Sequence, residues 1–195
     1  FLEIAALGDT ERLCYVAVAR DCGVSAPTVK AYYQILEDTL LGTQLPPYRL
    51  RPKRRIIEAP KWYFFDTAIA GFLAKRGRVA RGSELFGKAF ESFIHHELRA
   101  YAAYSGKHYE MAYWRTAGGV EVDFVLGNHE VAVEAKATPH ARADHVRSLV
   151  SVAEEYRFKR RMVVTLDATP RYLDNGIEVL PWQEFCGQLW SGDII

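Results

Sequence analysis

Two short runs separated by a turn constrain this chain more than any other feature. The first is Gly119-Val120-Glu121-Val122-Asp123-Phe124-Val125-Leu126, and the second is Val131-Ala132-Val133-Glu134-Ala135-Lys136. Both alternate with a period of two, as half-buried strands do. In the first, Val120, Val122, Phe124 and Leu126 share a face, with Glu121 and Asp123 on the other. In the second, Val131, Val133, Ala135 and Ala137 oppose Glu130, Glu134 and Lys136. Gly127-Asn128-His129 supplies turn residues between them. A two-residue Asn128-His129 loop sets Asp123 directly opposite Glu134. A Gly127-Asn128 loop moves the register by two and keeps both acids on one face. A three-residue loop separates them unless a bulge intervenes. Even-length turns therefore deliver Asp123, Glu134 and Lys136 to one surface, with opposed Cβ atoms about 5 Å apart.

Charged side chains are costly in buried strands unless something pairs with them. Two carboxylates on one sheet face offer hard oxygen ligands to Mg²⁺ (or Mn²⁺), which keeps waters and binds phosphate. Such an ion lowers the pKa of a bound water and neutralises charge on an attacked phosphate. A neighbouring lysine orients the water or stabilises the transition state. The same residues also fit a solvated strand face with a cross-strand Lys–carboxylate pair, and spacing alone leaves both readings open.

Bulk properties narrow the class without choosing the function. The chain has 195 residues, 49% hydrophobic and 25% charged, so it is long enough for one large domain or two small ones. A net charge of +1 gives no global argument for nucleic acid. The odd cysteines Cys14, Cys22 and Cys186 lack metal-ligand spacing and suit free thiols in a reducing compartment. No apolar run approaches the ~18 residues of a membrane span, and Phe1-Leu2-Glu3-Ile4 opens directly into a helical pattern. The expectation is a cytoplasmic chain, a fragment lacking an N-terminal domain. There is no Walker A motif and no G-x-G-x-x-G after a strand, so no nucleotide site is expected in this chain.

The first segment has the spacing of a helix-turn-helix. Thr10 is placed to cap a helix running to about Arg20; Gly23 suits its left-handed C-cap; Ser25 caps the next helix, with Pro27 in its first turn. That helix carries Val29, Tyr33, Leu36 and Leu40 on one face and Thr28, Lys30, Ala31 and Gln34 on the other. Small and polar residues on a second helix suit the major groove. Thr39–Leu45 and Trp62–Phe65 read as paired strands flanking a basic loop of Arg49, Arg51, Lys53, Arg54 and Arg55. Strands plus basic loop read as a wing, whose cations contact phosphate without reading sequence. Thr28, Lys30, Gln34, Arg51, Lys53, Arg54 and Arg55 are the candidate DNA contacts. A protein-docking module with a solvated basic turn is the other reading.

The second segment opens with a Ser83-capped helix to about Tyr101, apolar at Phe86, Ala89, Phe90, Phe93, Ile94, Leu98 and Tyr101. Glu91 sits at the edge of that stripe and Glu97 inside it, each a candidate further acid or a snorkelling glutamate. His95 and His96 point about 100° apart and read as surface residues. A strand at Met111–Arg115, the hairpin, an amphipathic helix over Ala141–Tyr156, strands at Arg161–Leu166 and Ile177–Leu180, and a helix opened by Pro181 follow. This order predicts an α/β core with a mixed sheet, in which Arg161–Leu166 runs parallel to the Glu134 strand.

Gly87 with Glu91, then Gly119–Phe124, then Val133-Glu134-Ala135-Lys136 resemble the PD-(D/E)xK (restriction-endonuclease-like) nuclease superfamily. Together with Val24–Val29 and Lys61–Asp66, nearly the whole chain resembles the C-terminal half of bacterial and archaeal AAA-type ATPases. In those proteins a P-loop domain precedes a winged helix and a nuclease-like domain of unknown function. The resemblance implies a winged helix-turn-helix over 1–66 and a nuclease-like domain over 67–195. It implies Glu91 as the helix acid, Asp123 and Glu134 as metal-binding acids, and Lys136 as the catalytic lysine, with Mg²⁺ or Mn²⁺ as cofactor. The partners it implies are DNA and the ATPase domain of the same full-length protein; further copies of the chain are compatible with it, and a membrane is not. The implied activity is a metal-dependent DNA endonuclease or nickase. A non-catalytic DNA-binding or protein-interaction module regulating the ATPase is the alternative.

Overall fold

A computed structural model describes residues 1–49 and 59–195. They form two units, each with its own core: 1–46 with 59–96, and the remainder, of which 47–49 and 97–195 are described.

The first unit is helical with one small sheet. Helices α1 (Leu2–Leu7), α2 (Tyr15–Cys22) and α3 (Ala26–Asp38) precede an antiparallel pair, β1 (Gly42–Leu45) and β2 (Lys61–Phe64), then α4 (Thr67–Leu73). The punctuation around the α2–α3 turn follows the sequence signals. Gly23 adopts φ 67°, and the Ser25 hydroxyl accepts the Thr28 N–H at 3.2 Å. Val29, Tyr33 and Leu36 turn into the core, where Tyr33 meets Trp62 edge-on at 4.8 Å and Trp62 meets Phe64 at 5.7 Å. Gly42 is required where it stands: a Cβ there would lie 2.3 Å from the Trp62 ring and 2.7 Å from the Tyr63 carbonyl.

Two expectations for this unit fail for local reasons. Thr10 does not cap α2; it is buried at φ 68° and donates its N–H to the Trp62 carbonyl, so the helix starts only at Tyr15. Leu40 does not extend the α3 stripe. The helix ends at Asp38, Thr39 folds its hydroxyl back onto the Ile35 carbonyl, and Leu40 sits exposed at φ 60°. The neighbouring Asp9 ties α1 to the sheet. Its carboxylate accepts the Phe64 N–H at 2.8 Å, and burial pushes its pKa up to about 6.

Helix α5 (Glu84–Tyr104) starts as expected, with Ser83 Oγ accepting the Phe86 N–H at 3.2 Å. His95 is buried rather than on the surface, stacked on the Tyr63 ring at 4.0 Å with the planes 8° apart. An aromatic partner on β2 supplies what helical spacing alone could not show.

The second unit is a mixed α/β layer built on a six-stranded sheet, ordered β3-β4-β5-β6-β8-β7. Strands β3 (Met111–Arg115), β4 (Glu121–Leu126) and β5 (Val131–Lys136) form an antiparallel meander. Strands β6 (Arg160–Thr165) and β8 (Glu178–Pro181) then add in parallel, and β7 (Arg171–Tyr172) closes the edge antiparallel to β8. The parallel pairing of the Glu134 strand with Arg160–Thr165 is the one the sequence predicts. The edge strand β7 is too short to show a period and was not expected.

Between β5 and β6 the chain makes a 3₁₀ turn (Ala143–Val146) and α6 (Arg147–Ala153), shorter than the helix predicted over Ala141–Tyr156. Helix α6 packs on β4 and β5, while α7 (Trp182–Ser191) packs on β6 and β8. Val146, Leu149, Val152 and Tyr156 meet Val122, Val125, Ala132 and Val163 in one core cluster. The sheet is buried on both faces, so its strands are apolar almost throughout.

Candidate functional site

The hairpin turn takes the first of the two-residue options that alternation allowed. Phe124 pairs with Val133, Val125 with Ala132 and Leu126 with Val131, which makes Asn128-His129 the loop. The same count carried one step further sets Asp123 opposite Glu134. On its other side, β4 does not run in even register. Ala112 pairs with Val125 but Trp114 with Val122, so β4 holds one more residue than β3 across this stretch. Asp123 lies inside that irregularity. Bulges re-aim side chains in this way and collect beside functional sites. The bulge also explains a departure from strict alternation: Val122 joins Val125 in the α6-facing cluster instead of siding with Phe124 and Leu126.

The two acids are buried, at 5% exposure for Asp123 and 3% for Glu134. Asp123 Oδ2 accepts the backbone N–H of Ala135 at 2.9 Å, which ties β4's carboxylate to the middle of the Glu134-Ala135-Lys136 triplet. Glu134 is held at both oxygens: Lys136 Nζ reaches Oε1 at 2.6 Å, and Ser148 Oγ on α6 donates to Oε2 at 2.8 Å. Burial pushes the Glu134 pKa up to about 8, the charge of Asp123 adds to this, and Lys136 and Ser148 oppose it. A proton or a cation would relieve the cost of burying the charged Glu134 carboxylate. Lys136, with its side chain 38% exposed, is the member of the group open to solvent.

The donor set fits a divalent ion in kind: hard, buried carboxylate oxygens beside a half-exposed ammonium. Among the described residues, no group of three His, Cys, Asp or Glu side chains gathers closely enough to hold a metal.

The structure brings Asp123, Glu134 and Lys136 together. Glu91 belongs to the first unit, where its Oε1 accepts from Lys61 Nζ at 2.8 Å and from the Tyr63 hydroxyl at 2.6 Å. Glu97 accepts the Trp190 indole N–H at 2.8 Å. On α3, Lys30 and Gln34 are exposed one turn apart and Thr28 is half-buried, all facing away from the buried Val29, Tyr33 and Leu36. Gln34 bonds Asp38 at 2.9 Å, and Thr28 bonds Ser25 at 2.7 Å. Arg51, Lys53, Arg54 and Arg55 lie outside the described residues.

Ser148 is the site residue that sequence reasoning missed. Its one signal is a hydroxyl one helical turn before Val152 and next to Leu149, on a helix that otherwise turns apolar residues to the sheet.

Two family models match the chain. A domain of unknown function, DUF4143, covers residues 86–185, and a second domain of unknown function, DUF8612, covers residues 1–79. No curated protein and no solved structure matches it.

Proposed function

The chain belongs to the DUF4143 family, and we propose that its second unit is a Mg²⁺- or Mn²⁺-dependent phosphodiesterase, a DNA endonuclease or nicking module of the PD-(D/E)xK type. The observation that carries this reading is the buried Asp123–Glu134 pair, opposed across β4 and β5 and completed by Lys136. The antiparallel meander, helix and parallel strand around it also suit such a core.

In this reading Asp123 and Glu134 would hold the ion, which would supply an activated water and charge neutralisation at phosphate. The remaining work falls to the chain itself. Ser148 fixes the rotamer of Glu134 through Oε2. The Ala135 N–H fixes Asp123. Lys136, half-exposed beside Glu134, would face the substrate oxygens, where its ammonium would position the water or stabilise developing charge. Glu91 lies in the first unit, where Lys61 and Tyr63 set its orientation.

The first unit is, on this proposal, a winged helix-turn-helix that grips DNA. Lys30, Gln34 and Thr28 on α3 are its proposed contacts, together with the basic residues Arg51, Lys53, Arg54 and Arg55 of the sequence. ATP hydrolysis belongs to an AAA-type domain of a longer protein, which is also the nearest partner.

One observation favours a second reading. Both Glu134 oxygens are already satisfied inside the protein, by Lys136 and Ser148. A closed network of that kind also suits a non-catalytic module that binds DNA or regulates the ATPase.

The two are separated by nicking of supercoiled plasmid in Mg²⁺, Mn²⁺ or EDTA. The nuclease reading predicts metal-dependent nicking that falls at least a hundredfold in Asp123→Asn and in Glu134→Gln. Nicking that persists in both variants, or none in the wild type, leaves the non-catalytic reading.

A further inference from the structure

The connection between β5 and α6 begins and ends on one carboxylate. Lys136, at the end of β5, reaches Glu134 Oε1, and Ser148, in the first turn of α6, donates to Oε2. Residues 137–147 therefore leave the acid pair and return to it.

This arch is held from beneath. The Thr138 N–H donates to the Lys136 carbonyl, and the Leu166 N–H donates to the Thr138 carbonyl. Ala141 is gripped at both polar groups: Asp167 Oδ2 accepts its N–H at 2.9 Å, and Arg171 donates to its carbonyl at 2.7 Å. The Arg142 N–H donates to His145 Nδ1 at 3.1 Å. A loop fixed in this way presents its outward side chains with little ordering left to do on binding.

Two of those side chains are guanidiniums, and one, Asp144, is an exposed carboxylate 4.0 Å from His145. Arg142 and Arg147 are both exposed on the arch, with exposed His140 beside them. Elsewhere in the unit, Arg115, Arg160 and Arg171 are committed to Glu121, Glu178 and Asp167. Arg142 and Arg147 have no carboxylate partner among the described residues. An uncommitted guanidinium keeps its planar fork of donors for an anion of matching shape, of which phosphate is the commonest. A pair of buried acids repels a polyanion, so a phosphodiester approaches it only where fixed positive charge lies alongside.

We propose that the β5–α6 connection is the phosphate-contacting rim of the acid-pair site, with Arg142 and Arg147 binding backbone phosphates of a nucleic acid. This deepens the reading of Asp123 and Glu134 as a phosphodiester site and rests on it.

The test is the salt dependence of duplex DNA binding. A labelled oligonucleotide is titrated with the full chain in Ca²⁺, to suppress cleavage, at several NaCl concentrations. The proteins are wild type, Arg142→Gln/Arg147→Gln, and a control of equal charge change, Arg99→Gln/Arg157→Gln, at two other exposed arginines of the unit. The slope of log K against log salt falls by roughly 0.9 for each duplex phosphate that the protein no longer neutralises. The rim variant should therefore show a slope shallower by roughly 1.8, and the control should keep the wild-type value. An unchanged slope in the rim variant, an equal change in the control, or no salt-dependent binding by the wild type overturns the proposal. A Mn²⁺ titration of the same proteins keeps the two claims apart. The rim variant should bind the ion like wild type. Rim-dependent DNA binding in a protein that takes up no Mn²⁺ would support the rim and remove the catalytic reading.

Discussion

Replacing Glu134 with Gln should make the metal-free protein more stable at alkaline pH, although it deletes a 2.6 Å contact with Lys136. The two halves of that contact are not in the same environment. Glu134 is buried, while the Lys136 side chain is 38% exposed and keeps much of its hydration. The attraction is therefore partly screened, whereas the cost of burying the carboxylate, raised by Asp123 across the strand, is not. Burial first, and Asp123 second, lift the Glu134 pKa from 4.5 to about 8.

The sign follows from proton linkage. A group whose pKa is higher in the folded state binds its proton more tightly there. Stability is complete below the unfolded value and is lost as pH rises through the folded one. Each pKa unit corresponds to about 1.4 kcal/mol. The interval from 4.5 to about 8 thus sets a ceiling of about 5 kcal/mol. Local relaxation and coupling to Asp123 lower the figure, and about 2–4 kcal/mol is the working expectation.

The assay is urea unfolding in EDTA, from pH 5 to pH 9, of wild type and Glu134→Gln, followed by tryptophan fluorescence and far-UV circular dichroism. Subtracting the two profiles removes the contribution of Asp9, whose raised pKa, about 6, gives both proteins the same loss at lower pH. The difference should already be growing in favour of the variant at pH 5, continue to grow up to about pH 8, and level off above it. A variant that becomes less stable than wild type as pH rises would show that the Lys136 contact outweighs burial, and the reasoning would be refuted.

Other consequences are open to direct measurement. Asp123→Ala leaves the buried Ala135 N–H without its acceptor and should cost about 1–3 kcal/mol in thermal or urea unfolding; Asp123→Asn keeps an acceptor oxygen and should cost less. Gly42→Ala forces a Cβ against the Trp62 ring and the Tyr63 carbonyl and should destabilise the first unit by about 1–3 kcal/mol, seen as a lowered melting temperature. Saturating Mn²⁺ should stabilise wild type by about 2.7 kcal/mol at a hundredfold excess over Kd and Glu134→Gln far less, read by differential scanning fluorimetry. Neutralising Arg51, Lys53, Arg54 and Arg55 should weaken DNA binding and flatten its salt slope; an unchanged slope would move the DNA surface elsewhere.

How far the sequence reaches depends on whether a feature is set locally. The Asp123–Glu134 juxtaposition was legible because alternation and a two-residue loop fix register without reference to the rest of the fold. The parallel β6 was legible because a helical segment between two β-branched runs leaves few other connections. The α2–α3 turn was legible because Gly23 and Ser25 act on their own backbone neighbours. What escaped depends on partners distant in sequence. His95 is buried because Tyr63 offers it a ring to stack on. Thr10 is bent into a left-handed conformation because its N–H has a carbonyl to meet on β2. Ser148 matters through a residue of β5 that helical spacing does not show. The bulge at Asp123 is a disagreement between two registers, and neither strand's own pattern carries it.

Uptake of a divalent ion by the buried acid pair is the central claim. Calorimetric titration of Mn²⁺ into wild type and Asp123→Asn, at pH 8, measures it directly. The predicted result is saturable binding to one site in the wild type and at least a tenfold weaker affinity in the variant. An absence of binding heat in the wild type, or equal affinities in the two proteins, would contradict it and leave the pair as a structural network closed by Lys136 and Ser148.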